Sequence, residues 1–276
     1  MTAKAKTALI LLIIISFVAA YFLPGVGKEG FVDGNTIAFI GILFGIIVGF
    51  FIADLYSRYQ GIRDNAAVDA SSLSTYYAFA KILGDNAKNK KWIVKQKRLI
   101  KNYIHKFMPL PWHRYGETEP EFSAILDSLR EVKYTSDKEN ETFSNILAMF
   151  STHSDAREKL VMYGKDKLSW GEWLVVLFLG VVLLASLFLT NDGSIISIVF
   201  TGAISSAILI LFFVVKDLNN LNFGESAISV EPYERVLDAI GEPRYYRKKG
   251  NIFTAFFGRQ RAKQLGLYKG NVKGMR

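Results

Sequence analysis

Three histidines, His105, His113 and His153, are scattered through 276 residues that include no cysteine. No H-E-x-x-H or other paired histidine spacing occurs, and no G-x-S-x-G elbow positions a serine nucleophile. No phosphate-binding glycine loop precedes a lysine and a serine or threonine. With no thiolate and no grouped imidazoles, the sequence predicts no enzyme, no bound metal and no cofactor. The spacing that could do physical work lies instead in an apolar run, Ile37 to Ala53, that ends at Asp54. Leu43, Ile47, Phe50 and Asp54 follow one another at helical steps of four, three and four, so they form one stripe. A ring of such apolar side chains can close to ions by dewetting, and a ring of carboxylates at its mouth favours cations. Asp54 has a second reading, as a solvated residue that ends the apolar run.

The same run carries Gly41, Gly45, Gly49 and Ala53, four residues apart and therefore stacked on another face of the helix. In lipid no hydrophobic force drives helices together, and a smooth small-residue face permits close van der Waals packing. Two readings stand. The ridge packs against the first or fourth span of its own chain, or it packs between subunits around an axis and leaves the Leu43 stripe to line a pore.

The elements that must position these faces are apolar blocks, and half of the chain is hydrophobic. The blocks are Ala8 to Leu23, Ile37 to Ala53, Trp173 to Leu189 and Ile195 to Val215. A spanning helix needs about 20 predominantly apolar residues, and each block approaches that with its flanks. The first is read as an uncleaved anchor. Lys4 and Lys6 before it and the small residues Val18, Ala19 and Ala20 also fit a signal peptide, in which case the mature chain would start at Tyr21. Trp170 and Trp173 stand where interfacial aromatic anchors belong, with Glu172 between them at the membrane edge. Thr201, Gly202, Ser205 and Ser206 give the fourth block a small polar patch suited to helix packing.

Orientation follows from the 34 lysines and arginines. The two loops Pro24 to Thr36 and Thr190 to Ser194 hold only Lys28, whereas Leu55 to Ser169 holds 19 and the tail from Lys216 holds 12. The positive-inside bias puts both termini and the middle region in the cytoplasm of a multi-pass plasma (inner) membrane protein. The net charge of +9 therefore collects on one side of a bilayer, which argues against nucleic acid as the partner. The expected organisation is residues 1–54 with two spans, 55–169 as a helical cytoplasmic region, 170–216 as a spanning hairpin and 217–276 as a basic cytoplasmic tail. The fold class is an all-α integral membrane protein with four transmembrane helices and a helical cytoplasmic region between spans 2 and 3.

Within that region, Tyr56 to Leu83 is free of proline, repeats Leu73, Tyr76, Tyr77 and Ala80 at helical spacing, and stops at Gly84. Asn86 to Phe107 puts Trp92, Leu99, Ile100, Tyr103, Ile104 and Phe107 on one face and a row of lysines and Arg98 on the other. That basic face either lies on anionic lipid headgroups or is solvated on the cytoplasmic bundle. Glu121 to Val132 and Asp137 to Tyr163 are the next helices, the second capped by Ser136 and stopped by Gly164. Asp217 to Ser229 reads as a loop and Pro232 to Ile240 as a short helix. The basic aromatic stretch Arg244 to Arg261 has the same two readings as the basic helix face.

From about Ile37 to Gly241 this layout resembles the bestrophin-like family of prokaryotic four-span membrane proteins. The resemblance rests on Asp217, Phe223, Gly224, Ser229 and Pro232 after the fourth span, with Asn222 where the family usually has proline. The helix after the second span, with Ala66, Asp69, Leu73 and Tyr76, is similar to the family's membrane-exit helix. True bestrophins are pentameric ion channels whose second spanning helix lines an apolar neck. The resemblance therefore implies a homo-oligomer, a pentamer by analogy, conducting inorganic ions along the Ile37 to Ala53 helix, and the carboxylate of Asp54 read above makes cations the expected ions. No acidic calcium clasp is recognisable, so calcium gating is not implied. The rival expectation is a non-conducting scaffold or sensor that works through its cytoplasmic helices.

Overall fold

The computed structural model describes residues 3–23, 34–221 and 228–244, with side chains described from Ile10 onward. All regular structure among these residues is helical: α1 (Ala3–Phe22), α2 (Gly34–Gly84), α3 (Lys90–Phe107), α4 (Glu119–Asp127), α5 (Asp137–Lys165), α6 (Trp170–Leu189), α7 (Ile195–Asn219) and α8 (Glu231–Ala239). Short 3-10 turns at Ala87–Asn89, Trp112–Thr118 and Ser128–Glu131 link α2 to α3, α3 to α4, and follow α4. Three helices, α2, α6 and α7, contain a window long and apolar enough to cross a membrane. The described apolar part of α1, Ile10–Phe22, is shorter. The expected loop from Asp217 is corrected at its start. α7 continues to Asn219 because Leu218 and Asn219 are buried, and burial holds a helix that its polar sequence alone does not suggest. Phe223 and Gly224 lie outside the described residues, as do Arg247 to Arg261 of the basic tail.

The chain divides into two compact units, and the first comprises residues up to Arg63 and from Tyr163 to Ser229. In it, α2, α6 and α7 share a core of Phe44, Val48, Leu55, Val176, Leu183, Ile208, Val215 and Leu218. α1 packs along α7, and the reason is small-residue chemistry. A Cβ on Gly202 would lie 2.6 Å from the Phe17 ring, so only glycine admits that ring. Thr201, Ser205 and Ser206 are buried around it, and the Ser206 hydroxyl donates to the Gly202 carbonyl at 2.7 Å. Asn191, in the turn between α6 and α7, ties the far end of α1 by donating to the Ala20 carbonyl at 2.7 Å.

One side chain fixes the other end of this unit. Arg58, 3 % exposed, donates from Nε to the Tyr163 carbonyl at 2.6 Å, from Nη1 to the Asn219 carbonyl at 3.1 Å and from Nη2 to the Gly164 carbonyl at 3.3 Å. Tyr163 and Gly164 belong to the last turn of α5, and Asn219 ends α7. The last carbonyls of a helix have no partner of their own and carry its negative end. The planar guanidinium fork supplies donors to both helix ends at once. Gly61, one turn further along α2, lets the Tyr163 ring approach, since a Cβ there would lie 2.7 Å from it. The Asn219 side chain then accepts from the Leu168 amide at 2.9 Å, which pins the chain entering α6.

The second unit comprises Asp64 to Met162 and residues from Val230 onward. Leu73, Tyr76, Tyr77 and Ala80 are all buried, as their spacing predicts, and α2 ends at Gly84, where a Cβ would lie 2.8 Å from the Ile93 Cβ, so glycine there lets Ile93 approach. α3 buries Trp92, Ile100, Tyr103, Ile104 and Phe107, and with them Gln96, a polar residue on the apolar face. Gln96 accepts from the Tyr76 hydroxyl at 2.6 Å and donates to the Ser128 hydroxyl at 2.5 Å, so its burial leaves no polar atom stranded.

At the centre of this unit sits a buried charge network. Asp69 of α2 faces His153 Nε2 of α5 at 2.7 Å and accepts from the Tyr103 hydroxyl at 3.1 and 3.2 Å. An ionised carboxylate only accepts, so Nε2 of His153 carries the proton. Tyr103 spends its own hydrogen on Asp69, so Tyr115 must donate to Tyr103, which also accepts from Arg157 at 2.6 Å. Arg157 continues to the Thr118 hydroxyl at 3.1 Å and the Glu119 carboxylate at 2.9 Å, and its guanidinium covers the Phe122 ring at 4.3 Å. The Tyr233 hydroxyl of α8 is enclosed beside Asp69, close enough to favour its charge but without hydrogen-bond geometry. Burial alone would push the Asp69 carboxyl up, yet His153, Tyr233 and Arg157 together hold it below its ordinary value. Burial pushes the hydroxyls of Tyr103, Tyr115 and Tyr233 up, so all three stay protonated as donors.

Two outcomes follow. Arg58→Ala strands carbonyls at two helix ends and is expected to cost about 3 kcal/mol or more, with Arg58→Lys milder, as read from melting of the purified protein in detergent. Equal melting of wild type and Arg58→Ala would contradict the clamp. Asp69 has a native pKa below its unfolded value of 3.8, so as pH falls the unfolded chain takes up a proton that the native carboxylate resists. The stability it contributes is present above about pH 4 and is lost below that. The melting-temperature gap between wild type and Asp69→Asn should therefore be wide at pH 7 and narrow below about pH 4.

Candidate functional site

The apolar part of α2 presents three faces, and the described residues bury only one of them. Phe44, Val48 and Leu55 are buried in the first unit's core, with Ile37, Ile40, Phe51 and Ile52 packed beside them. The second face carries the glycine ridge. A Cβ on Gly41 would meet Leu183 of α6 at 3.9 Å, but one on Gly45 or Gly49 would meet nothing within 4 Å. Gly45, Gly49 and Ala53 are exposed. Among the described residues, contact within the chain therefore reaches Gly41 alone of the three glycines, and its partner there is Leu183 of α6. The third face holds the stripe. Phe50 is 71 % exposed and Leu43 37 %, Asp54 is exposed, and Ile47 is half-buried.

The stripe ends in a polar hollow at the point where α2 leaves its apolar run. Asp54 and Arg58 of α2 line it together with Asp166, Lys167 and Glu172, which come from the connection between α5 and α6 and from the start of α6. The buried Arg58 guanidinium interacts with Asp166 and, more weakly, with Asp54. Glu172 has a local role. Ser169 and Glu172 form a capping box, in which the Glu172 carboxylate accepts from the Ser169 amide at 2.6 Å and the Ser169 hydroxyl accepts from the Glu172 amide at 3.3 Å. The Ser-x-x-Glu spacing before an apolar run was a readable signal for that cap. Trp170, just inside it, is 79 % exposed, and Trp173 is half-buried.

The three histidines are not brought together. His113 is exposed, His105 half-buried, and His153 belongs to the Asp69 network. Among the described residues, no three His, Asp or Glu side chains group as a metal site. The sequence offered no signal for Arg58 as a clamp, because its acceptors are main-chain carbonyls 105, 106 and 161 residues away.

Comparison with known proteins accords with this arrangement. No curated protein matches the chain in sequence. Solved structures do match in fold. A bacterial bestrophin homologue from Klebsiella pneumoniae is similar with a TM-score of 0.61 at 14 % identity, over 86 % of this chain and 97 % of that one. A single-substitution variant of that homologue gives 0.63 at 14 % identity, over 87 % of this chain and 100 % of that one. Another single-substitution structure, described only as a membrane protein, gives 0.63 at 13 % identity, over 86 % and 98 %. The sequence itself matches the Bestrophin-like domain over residues 10–233, which takes in most of α1, all of α2 to α7 with the clamp at Arg58, and the start of α8. On that match the chain belongs to the Bestrophin-like domain family.

Proposed function

We propose that this protein is a homo-oligomeric ion channel of the plasma membrane, with α2 lining its pore and cations favoured at its cytoplasmic mouth. One observation carries the reading. In the apolar run of α2, Gly45 and Gly49 meet nothing within 4 Å and Phe50 is 71 % exposed, so two of its three faces lack cover among the described residues. A glycine ridge offers nothing to lipid that leucine would not offer better, but it admits another helix closely. The ridge of Gly45, Gly49 and Ala53 packs on the neighbouring subunit, with Gly41 seated on α6 of its own chain. The adjacent stripe of Leu43, Ile47 and Phe50 then faces the symmetry axis as an apolar constriction, and Asp54 closes it as a ring of carboxylates. Membership of a bestrophin-like family supports this, with five subunits by analogy. α1 serves as a fourth span, and both termini and the second unit lie in the cytoplasm, where the lysine and arginine excess belongs. The exposed bases of α3 then face anionic lipid headgroups.

Purified protein in nanodiscs should run as an oligomer and, in liposomes, should pass monovalent cations. Phe50→Ala should raise flux by widening the constriction, and Asp54→Lys should lower the preference for cations. A monomer, or no flux across a range of pH, calcium and voltage, would contradict the channel and favour a scaffold that works through its cytoplasmic helices.

A further inference from the structure

The charges around the hollow at the end of the α2 apolar run differ in their freedom. Arg58 is buried, and all three of its nitrogens are committed to main-chain carbonyls, so its positive charge cannot swing away. Glu172 is committed to the cap of α6. Asp54 and Asp166 are exposed, and both interact with the fixed guanidinium, Asp166 the more strongly. Lys167 is exposed on a long flexible stem, where a charge is readily screened. One immobile cation therefore shares the hollow with two exposed carboxylates, and a single positive charge offsets only one of them. Asp166 lies on the connection between α5 and α6, outside the pore helix, so no periodicity within α2 points to it.

Resting on the channel reading above, we propose that ion preference at the cytoplasmic mouth is set by Asp54 and Asp166 together, with Arg58 as their fixed counter-charge, rather than by Asp54 alone. Neutralising either carboxylate leaves the guanidinium balanced by the other, and the mouth loses its excess negative charge. Neutralising both leaves Arg58 and Lys167 against the single carboxylate of Glu172, so the mouth becomes net positive.

The test is the reversal potential of the purified full-length protein in liposomes or planar bilayers under a potassium chloride gradient. Wild type should reverse toward the cation potential. Asp166→Asn and Asp54→Asn should each move the reversal most of the way to zero, and the double variant should carry it past zero toward anions. Asp166 is exposed, so Asp166→Asn should melt like wild type, and a shifted reversal with unchanged melting separates charge from folding. Arg58→Gln supplies the opposite sign, since any protein that folds should be more cation-selective than wild type. A reversal at Asp166→Asn identical to wild type, with Asp54→Asn shifted, would overturn the shared mouth and leave the channel standing. A wild type that passes no ions would overturn both.

Discussion

A single guanidinium, just beyond the apolar run of α2, organises the first unit. Two helices, α5 and α7, end at the same place, and each leaves carbonyls that its own backbone cannot satisfy. Arg58 meets both ends, donating to Tyr163 and Gly164 on one side and to Asn219 on the other. An arginine so deeply buried is costly unless its donors are satisfied, and here three main-chain carbonyls accept from its three nitrogens. The consequence reaches up α2. With the helix pinned at Arg58 and seated on Phe44, Val48 and Leu55, its rotation is set, and the described residues leave the face of Gly45 and Gly49 and the Phe50 face uncovered. The candidate site is thus a consequence of how α2 is anchored, because the same residues on a freely turning helix would define no face.

The second unit solves a different problem with related chemistry. Its core holds an aspartate, a histidine and an arginine, and three tyrosine hydroxyls occupy the space between and beside them. Hydrogen-bond directions leave little freedom, because Asp69 can only accept and Tyr103 has one hydrogen to give. Such networks are costly when half-satisfied and rigid when complete. This one joins α2, α3, α4, α5 and the start of α8 around a carboxylate on the helix that also carries Asp54. Both units therefore take hold of α2 through a charged side chain, Arg58 in one and Asp69 in the other.

Much of the fold was legible in the sequence because it is written locally. Gly84 and Gly241 stop helices, Ser136 caps one, and the tyrosines and leucine after Tyr56 recur at 3.6-residue spacing. The apolar run from Ile37 announced itself by composition alone. The stripe and the ridge were legible as faces for the same reason. Interactions between distant segments were not legible. Arg58 reads as one more base near a membrane edge, and nothing near it in the chain shows that carbonyls 105 and 161 residues away will be its partners. His153 reads as an isolated histidine, since its partner Asp69 lies 84 residues earlier. Asp166 is one charge in a charged connection until the fold sets it beside Arg58.

The central claim, that the Phe50 face of α2 lines the ion path, is open to direct chemical test because the chain has no cysteine of its own. Single Phe50→Cys and Val48→Cys variants, reconstituted in liposomes, would be exposed to a charged water-soluble thiol reagent while ion flux is followed. Val48 is buried in the chain's own core, so it serves as the control on the same helix. The account predicts that the reagent stops flux through Phe50→Cys and leaves Val48→Cys unchanged. Undiminished flux through a fully modified Phe50→Cys variant would contradict it.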